Sequence, residues 1–373
     1  MPRVSIARLE KYDPVLLEER IAGLINDLGG LDKFVKPGET VLIKPNCLSN
    51  TDPKQGIITH PEFVAAVIRI VKKNASKIWV GDSPGFGSFS AACTRNGLKK
   101  LAEEQGAEII DFKADAHVTL SEKLAYGAFD IDSRLLNADK IINLAKLKTH
   151  MLMHMTLCVK NMYGIIPGLK KLEFHAKVQR DRDMFAKVLL DIFSIKPPVL
   201  NIVDGIIGLE GNGPGTDGIP VNSGMIIASD DAFAADHLIP KLTGIDTYSV
   251  YTNEAYRKYV LKGKEIEYEV SGYFDTGLKF KEPPRESRSG GAFSGLIKVV
   301  RSNMTPVPKF IARKCTGCKV CVTHCPVSAL TYTGKKKGIK CDYSKCISCF
   351  CCHEMCPDAA IDIKKPFLSF LLR

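Results

Sequence analysis

The sequence predicts an α/β fold, a mostly parallel sheet flanked by helices, followed by a small C-terminal α+β domain of the bacterial ferredoxin type. Two observations carry this. Apolar strand-like runs alternate with helix-periodic segments through residues 1–305. A cysteine pattern then appears twice near the C-terminus, as CTGCKVCVTHCP from Cys315 and CISCFCCHEMCP from Cys346.

The strand-and-helix units can be taken in order. TVLIKPN (Thr40 to Asn46) reads as an apolar strand entering a polar loop, and HPEFVAAVIRIVKK as a helix with proline at its start. KIWVGDSPG repeats the strand-to-loop form, SAACTRNGLKKLAEEQG reads as a helix stopped by Gly106, and EIIDF as the next strand. DKIINLAKLKTH, VLNIVDGIIG and GMIIASD add three more strands, and FHAKVQRDRDMFAKVLLDIF reads as an amphipathic helix preceded by His175. Asp230 and Asp231 are placed to begin a helix. The expected boundaries are an α/β domain over 1–305, a ferredoxin-like domain over 306–361, and an apolar tail over 362–373 that packs on the body. The tail is too short to span a bilayer, no other run is long enough, and no secretory signal is visible, so the expected compartment is the cytoplasm.

Only Cys47, Cys93 and Cys158 precede residue 315, whereas the other ten cysteines crowd between Cys315 and Cys356. Such crowding points to metal ligation rather than a disulfide framework. Each copy has the form C-x2-C-x2-C-x3-C-P, in which three thiolates hold one cube and the fourth reaches the other. The rule assigns Cys315, Cys318, Cys321 and Cys356 to one [4Fe-4S] cluster, and Cys346, Cys349, Cys352 and Cys325 to a second. Structural zinc would use paired spacings instead. Cys341 and Cys351 fall outside the pattern and read as small buried hydrophobes, with a replacement ligand or redox thiol as the alternative.

The formal charge is +11. Two oxidised four-thiolate clusters would lower it to about +7. No helix-turn-helix, zinc-finger or RNA-binding aromatic motif accompanies the charge, so nucleic acid is not an expected partner. Acidic redox proteins, as donor or acceptor, and anionic small molecules are. The hairpin LTYTGKKKGIKC offers its lysines to such a donor.

Parallel sheets place ligands beyond the carboxyl ends of their strands. Those ends carry Lys44, Asn46 and Cys47; Asp82, Ser83 and Gly85; Lys146, Lys148, Thr149 and His150; and Asp204 with GLEGNGPG. One shared cleft accounts for all of them. GLEGNGPG lacks both the Rossmann and the P-loop spacing and reads as a ligand-covering loop or a plain glycine-rich turn. His150 and His154 are four apart and, on a helix, would share a face. With Lys146, Lys148 and Lys160 they would form a cationic pocket for a carboxylate or phosphate, and either ring could exchange a proton near neutral pH. Met151, Met153, Met155 and Met162 read as adaptable packing, and Cys47 and Cys158 as inert thiols unless the lysines activate them.

The segments VLIKPN, GDSPG, INLAKLKTH, VKNMYG and NIVDGIIGLEGNGP, followed by the cysteine pattern, together resemble the family called domain of unknown function 362, in its form with a C-terminal bacterial-type ferredoxin module. The resemblance implies two clusters on the eight motif cysteines and assigns no reaction.

The expected function is an iron–sulfur redox protein, an oxidoreductase passing electrons through two [4Fe-4S] clusters to an anionic molecule in the cleft. In that scheme Lys44, Asn46, Asp82, Ser83, Lys146 and Lys160 bind substrate, and Lys148, His150, His154 and Asp204 are the catalytic candidates. A flavin or other organic cofactor needs no short motif, so that position stays open. The alternative is a non-catalytic electron carrier or adaptor docking a larger redox complex.

Overall fold

The computed structural model describes residues 1–48, 51–85, 87–168, 170–272, 277–283, 307–334 and 338–364. Its body begins with β1 (Arg3–Arg8), α1 (Pro14–Asp27), α2 (Leu31–Phe34), β2 (Thr40–Pro45), α3 (Pro61–Val71), β3 (Lys77–Asp82), α4 (Phe89–Asn96), α5 (Leu98–Glu104) and β4 (Glu108–Asp111). A side hairpin of β5 (Ala116–Thr119) and β6 (Ala128–Ile131) and helix α6 (Ser133–Asn137) precede β7 (Lys140–His150), β8 (His154–Thr156), α7 (Cys158–Asn161), α8 (Lys170–Val178) and α9 (Arg182–Ile195). The body closes with β9 (Leu200–Gly211), β10 (Gly218–Ser229), α10 (Ala232–Leu242), α11 (Tyr251–Ala255) and β11 (Glu269–Ser271).

The main sheet has the order β11-β1-β10-β9-β7-β2-β3-β4, with β8 beside β7. The strands from β9 through β7, β2 and β3 to β4 pair in parallel, whereas β10 is antiparallel to β9 and to β1. The sheet is therefore mixed, because β9 and β10 form a long hairpin. Alternating side chains divide two cores. Val41, Ile43, Ile142 and Leu144 pack with α1, α3, α4 and α5. Leu42, Ile141 and Ala145 pack with α8, α9 and α10 on the other face.

The chain runs from β2 outward through β3 to β4, then returns to place β7 on the opposite side of β2. A crevice opens at such a reversal, and β2, β3 and β7 are the strands whose ends carry Asn46, Asp82 and Lys148.

Two helical segments are divided. The stretch after Ser88 breaks at Gly97, whose φ of 84° ends α4 and starts α5. FHAKVQRDRDMFAKVLLDIF is split at Gln179 to Asp181, so His175 lies inside α8 rather than ahead of a single helix. Asp231 caps α10 by accepting from Ala234 N at 2.8 Å, while Asp230 pairs with Lys33.

The C-terminal module pairs β12 (Val307–Phe310) with β15 (Ile361–Lys364), and β13 (Leu330–Tyr332) with β14 (Ile339–Cys341). Positive φ recurs at matching positions of its two halves: Gly317 and Ser348, Lys319 and Phe350, Ser328 and Ala359. The cysteine repeat is thus also a repeat of backbone shape. Residues 362–364 belong to β15 and so extend the module; the rest of the tail lies outside the described residues, as do lysines 335–337 of the hairpin.

The turn between β9 and β10 carries the module against the body. Thr216 Oγ1 donates to Cys356 O at 3.3 Å, His353 Nε2 lies 3.3 Å from Asp217 Oδ2, and Arg180 Nη2 donates to Cys346 O at 2.5 Å. The same turn presses on the end of β7, where Met151 N donates to Gly213 O at 3.0 Å. A Cβ at Gly213 would sit 2.1 Å from Thr149 O. We expect Gly213→Ala to lower stability by about 1–3 kcal/mol in denaturant titration, because backbone must move to admit the methyl group.

Candidate functional site

The module's cysteines fall into two groups. Cys315, Cys318, Cys321 and Cys356 line one cavity with Val320, Ile339 and Ile361. Burial and then the neighbouring Cys356, Cys318 and Cys315 push the Cys321 thiol up to about 12. Cys352 is pushed well up by burial and then by Cys349, Cys346, Cys321 and Cys325. Thiols that oppose one another's ionisation are stabilised as thiolates by shared positive charge. Backbone N–H groups also reach sulfur, from Ala329 to Cys325 at 3.2 Å and from Ala360 to Cys356 at 3.3 Å. Among the described residues no three His, Cys, Asp or Glu side chains close on a single ion, whereas four cysteines line one cavity, the ligand number a [4Fe-4S] cluster takes. Each extra thiol sits against a motif cysteine. Cys341 donates to Cys346, drawing its pKa down to about 6, and the hydrogen bond with Cys349, then burial, push the Cys351 thiol well up.

In the body, two of the strand-end lysines are already matched. Lys44 Nζ lies 2.8 Å from Asp82 Oδ1, with both side chains buried. Asp82 also accepts from Cys47 N at 2.7 Å and Ser83 N at 2.9 Å. Gly164 permits this approach, since a Cβ there would meet Asp82 Oδ1 at 2.1 Å. Lys146 Nζ lies 2.7 Å from Asp204 Oδ2. Asp204 accepts further bonds from Tyr12 OH at 2.8 Å and His60 N at 2.9 Å, and the Tyr12 and His60 rings stack. This second pair is complete in itself, and neither Lys146 nor Asp204 lines the cleft.

The cleft has a volume of about 110 Å³. It collects Asn46, Asp82, Ser83, Lys148, His150 and Lys160 from the residues expected at the site, and adds Tyr163, Lys171, His175, Cys351, Glu354 and Met355. Lys148 Nζ donates to Asn46 Oδ1 at 2.8 Å and Ile57 O at 2.7 Å, neither of them charged. Burial, then Lys160, brings its pKa down to about 7. Lys171 donates to the carbonyls of Ser83 and Pro84 and is likewise brought down to about 7, chiefly by burial. Lys160 rests near the Tyr163 ring, 5.8 Å from its centroid, and is lowered by burial.

The histidines are arranged by a hairpin. β7 and β8 pair antiparallel, with His150 opposite His154 across a tight turn, so the expected helical face is not formed. His150 Nδ1 accepts from Leu152 N at 3.1 Å and Met153 N at 3.3 Å. Both bonds need a lone pair there, which leaves the proton on Nε2. That atom lies 3.4 Å from Glu354 Oε1. His154 has a φ of 72° and its Nε2 lies 2.9 Å from Glu282 Oε2, outside the cleft. His175 is buried against Phe185, its Nδ1 has no hydrogen-bond partner, and burial takes its pKa down to about 3.

Glu354 comes from the helix of the second cysteine copy, between Cys352 and Cys356. Burial raises its pKa while Lys160, His353 and Lys148 oppose the rise, and its Oε1 has no hydrogen-bond partner. Met355 and Cys351 join it as one wall, and Gly215, where a Cβ would sit 3.0 Å from Glu354 O, lets the module close on the body.

Residues 41–239 match the family described as domain of unknown function (DUF362), and residues 308–357 match a 4Fe-4S dicluster domain. The chain belongs to the DUF362 family. It is 36% identical over 252 residues to the thylakoid-associated protein sll1697 of Synechocystis sp., covering 68% of this chain and 78% of that one. A shorter match, 28% identical over 88 residues, is to the trichloroethene reductive dehalogenase of Dehalococcoides mccartyi, over 20% of this chain and 16% of that one. Among solved structures, the lactate racemase apoprotein of Thermoanaerobacterium thermosaccharolyticum aligns with a TM-score of 0.42 and 11% identity, over 66% of this chain and 57% of that one; a likeness this faint carries no functional argument. This DUF362 chain is therefore an iron–sulfur protein with a redox role, and among its described residues no helix is long and apolar enough to cross a membrane.

Lys171, Tyr163, Glu354 and Met355 were not singled out by sequence reasoning. HEM inside the second cysteine copy was the available signal, a charged pair where only ligand spacing is required. Anaerobically reconstituted Cys356→Ser should lose about half of its iron, as should Cys325→Ser, while Cys341→Ser should retain the wild-type iron and sulfide content.

Proposed function

We propose that this protein is an oxidoreductase that binds a small anion in the cleft and transfers electrons to or from it, drawing on two [4Fe-4S] clusters. Cys315, Cys318, Cys321 and Cys356 would hold one, and Cys346, Cys349, Cys352 and Cys325 the other. When bound, such clusters supply one-electron chemistry, and the polypeptide supplies position and field.

A single observation carries the reading. Three buried lysines and two histidines meet the only described carboxylate of the cleft wall not already paired with a lysine, Glu354, on the helix that also bears motif cysteines. An anion entering this space satisfies the charge that burial suppresses. Lys160 is the anchor, since no described carboxylate pairs with it and it faces the cleft. Lys148 and Lys171 bind from the strand-end side, held by Asn46 and by the carbonyls of Ser83 and Pro84. Burial holds the His150 ring neutral, its pKa well below the usual imidazole range, so its one proton on Nε2 donates a hydrogen bond to the bound anion at the cleft surface. Tyr163, Leu172 and Met355 limit the room for water.

The pH dependence has a definite sign. Below about 7, Lys148 and Lys171 are already charged, and an added anion binds without proton uptake. Above it they are neutral in the free protein, so binding must take up protons and weaken as pH rises. Calorimetry with sulfate and oxalate, in buffers of different ionisation enthalpy, should show proton uptake above pH about 7 and almost none near pH about 6. Lys160→Met should weaken these anions by roughly tenfold or more.

The catalytic claim has its own test. Reduced, cluster-loaded protein is mixed anaerobically with a panel of small organic anions while its visible absorbance is followed. An anion that both binds the cleft and reoxidises the protein with formation of a reduced product supports the proposal. If no anion that binds does so, the carrier or adaptor reading replaces it.

A further inference from the structure

The two cysteine groups differ in exposure. Cys318 is exposed, whereas Cys349 and Cys351 of the second copy are buried and Cys351 faces the cleft. The cavity ringed by Cys315, Cys318, Cys321 and Cys356 therefore has one exposed cysteine at its rim, whereas none of Cys346, Cys349, Cys352 and Cys325 is exposed.

The surface around Cys318 has an unusual charge. Arg313 and Lys314 precede Cys315, and Lys319 follows Cys318; all three side chains are exposed. Among the described residues, none of them has a carboxylate within ion-pair distance. Several lysines elsewhere do, including Lys33 with Asp230, Lys99 with Glu103 and Lys345 with Asp342. Asp358, which lines the same cavity, accepts instead from Thr316 Oγ1 at 2.5 Å. Lys319 is held in place over the Tyr332 ring, 5.2 Å from its centroid.

We propose that Arg313, Lys314 and Lys319 form a docking surface for a small acidic one-electron carrier protein, seated over Cys318. Charge complementarity selects the partner: uncompensated cations around an exposed redox ligand steer an acidic surface to the point where the separation is least. In each productive encounter the carrier is oxidised by one electron and this protein is reduced by one, or the reverse. The inference rests on the redox reading above, but it concerns a surface that shares no residue with the cleft lining and does not depend on what the cleft binds.

The test uses the full-length, cluster-loaded protein with acidic flavodoxin as the probe and basic cytochrome c as the counter-probe. Binding is measured between about 50 and about 300 mM salt, where screening separates electrostatic from apolar docking. The expected result is binding of flavodoxin that weakens with salt, and an affinity loss of roughly tenfold or more in R313E/K314E/K319E. The neutral R313Q/K314Q/K319Q variant should fall between the two, and K100E on α5 should bind like wild type. Iron content and anion binding in the cleft are measured on the same samples, so loss of folding or failure of the cleft reading is seen separately. Flavodoxin binding unchanged within about twofold in the triple reversal, or tighter binding of cytochrome c than of flavodoxin to wild type, would overturn the proposal.

Discussion

The structure depends on how positive charge is held at the buried ends of parallel strands. Taking an ammonium group out of water costs several kcal/mol even after relaxation, unless an anion accompanies it. Lys44 and Lys146 have their own carboxylates, Asp82 and Asp204, and each carboxylate is further fixed by hydrogen bonds from the body. Lys148, Lys160 and Lys171 do not. The Asn46 amide and several carbonyls orient Lys148 and Lys171, and the Tyr163 ring lies beside Lys160, without neutralising any of them. Two different uses of the same residue type thus lie side by side: paired lysines tie the strands together, and incompletely paired lysines leave a space whose natural occupant is negative.

The module completes that space. Without the helix that bears Glu354 and Met355, the lysines would face open solvent and their charges would be screened rather than suppressed. Docking through Thr216, Asp217 and Arg180 brings in one carboxylate and an apolar wall, and it does so at the segment that carries the second group of cysteines. The chemistry available to the cysteines and the electrostatics of the cleft are consequently parts of one arrangement. Neither half of the chain forms it alone.

Much of the fold was legible in the sequence because apolar runs such as TVLIKP and KIINLAKL are long, β-branched and bounded by polar loops. The cysteine pattern was legible for a different reason, since the geometry of a cluster fixes ligand spacing locally. The spacing of His150 and His154 was ambiguous: four residues apart brings two side chains together on a helix, but it also places them opposite each other across a tight hairpin, which is what occurs. The long antiparallel β9 and β10 pair likewise could not be separated from a parallel strand by its apolar run. Least legible was the division of charges. The three strand-end lysines, Lys44, Lys146 and Lys148, share a similar local context, and only tertiary contacts assign Lys146 to Asp204 and leave Lys148 to the cleft. Glu354 was hidden for the same reason, because its role follows from docking.

The most direct measurement is crystallographic. Crystals of the loaded protein soaked in selenate, located by selenium anomalous scattering, should show the anion between Lys148, Lys160 and Lys171, with its oxygens within hydrogen-bond reach of at least two of the three ammonium groups. Selenate bound only on the outer surface, with the cleft unchanged, would contradict the claim that these lysines are arranged for an anion.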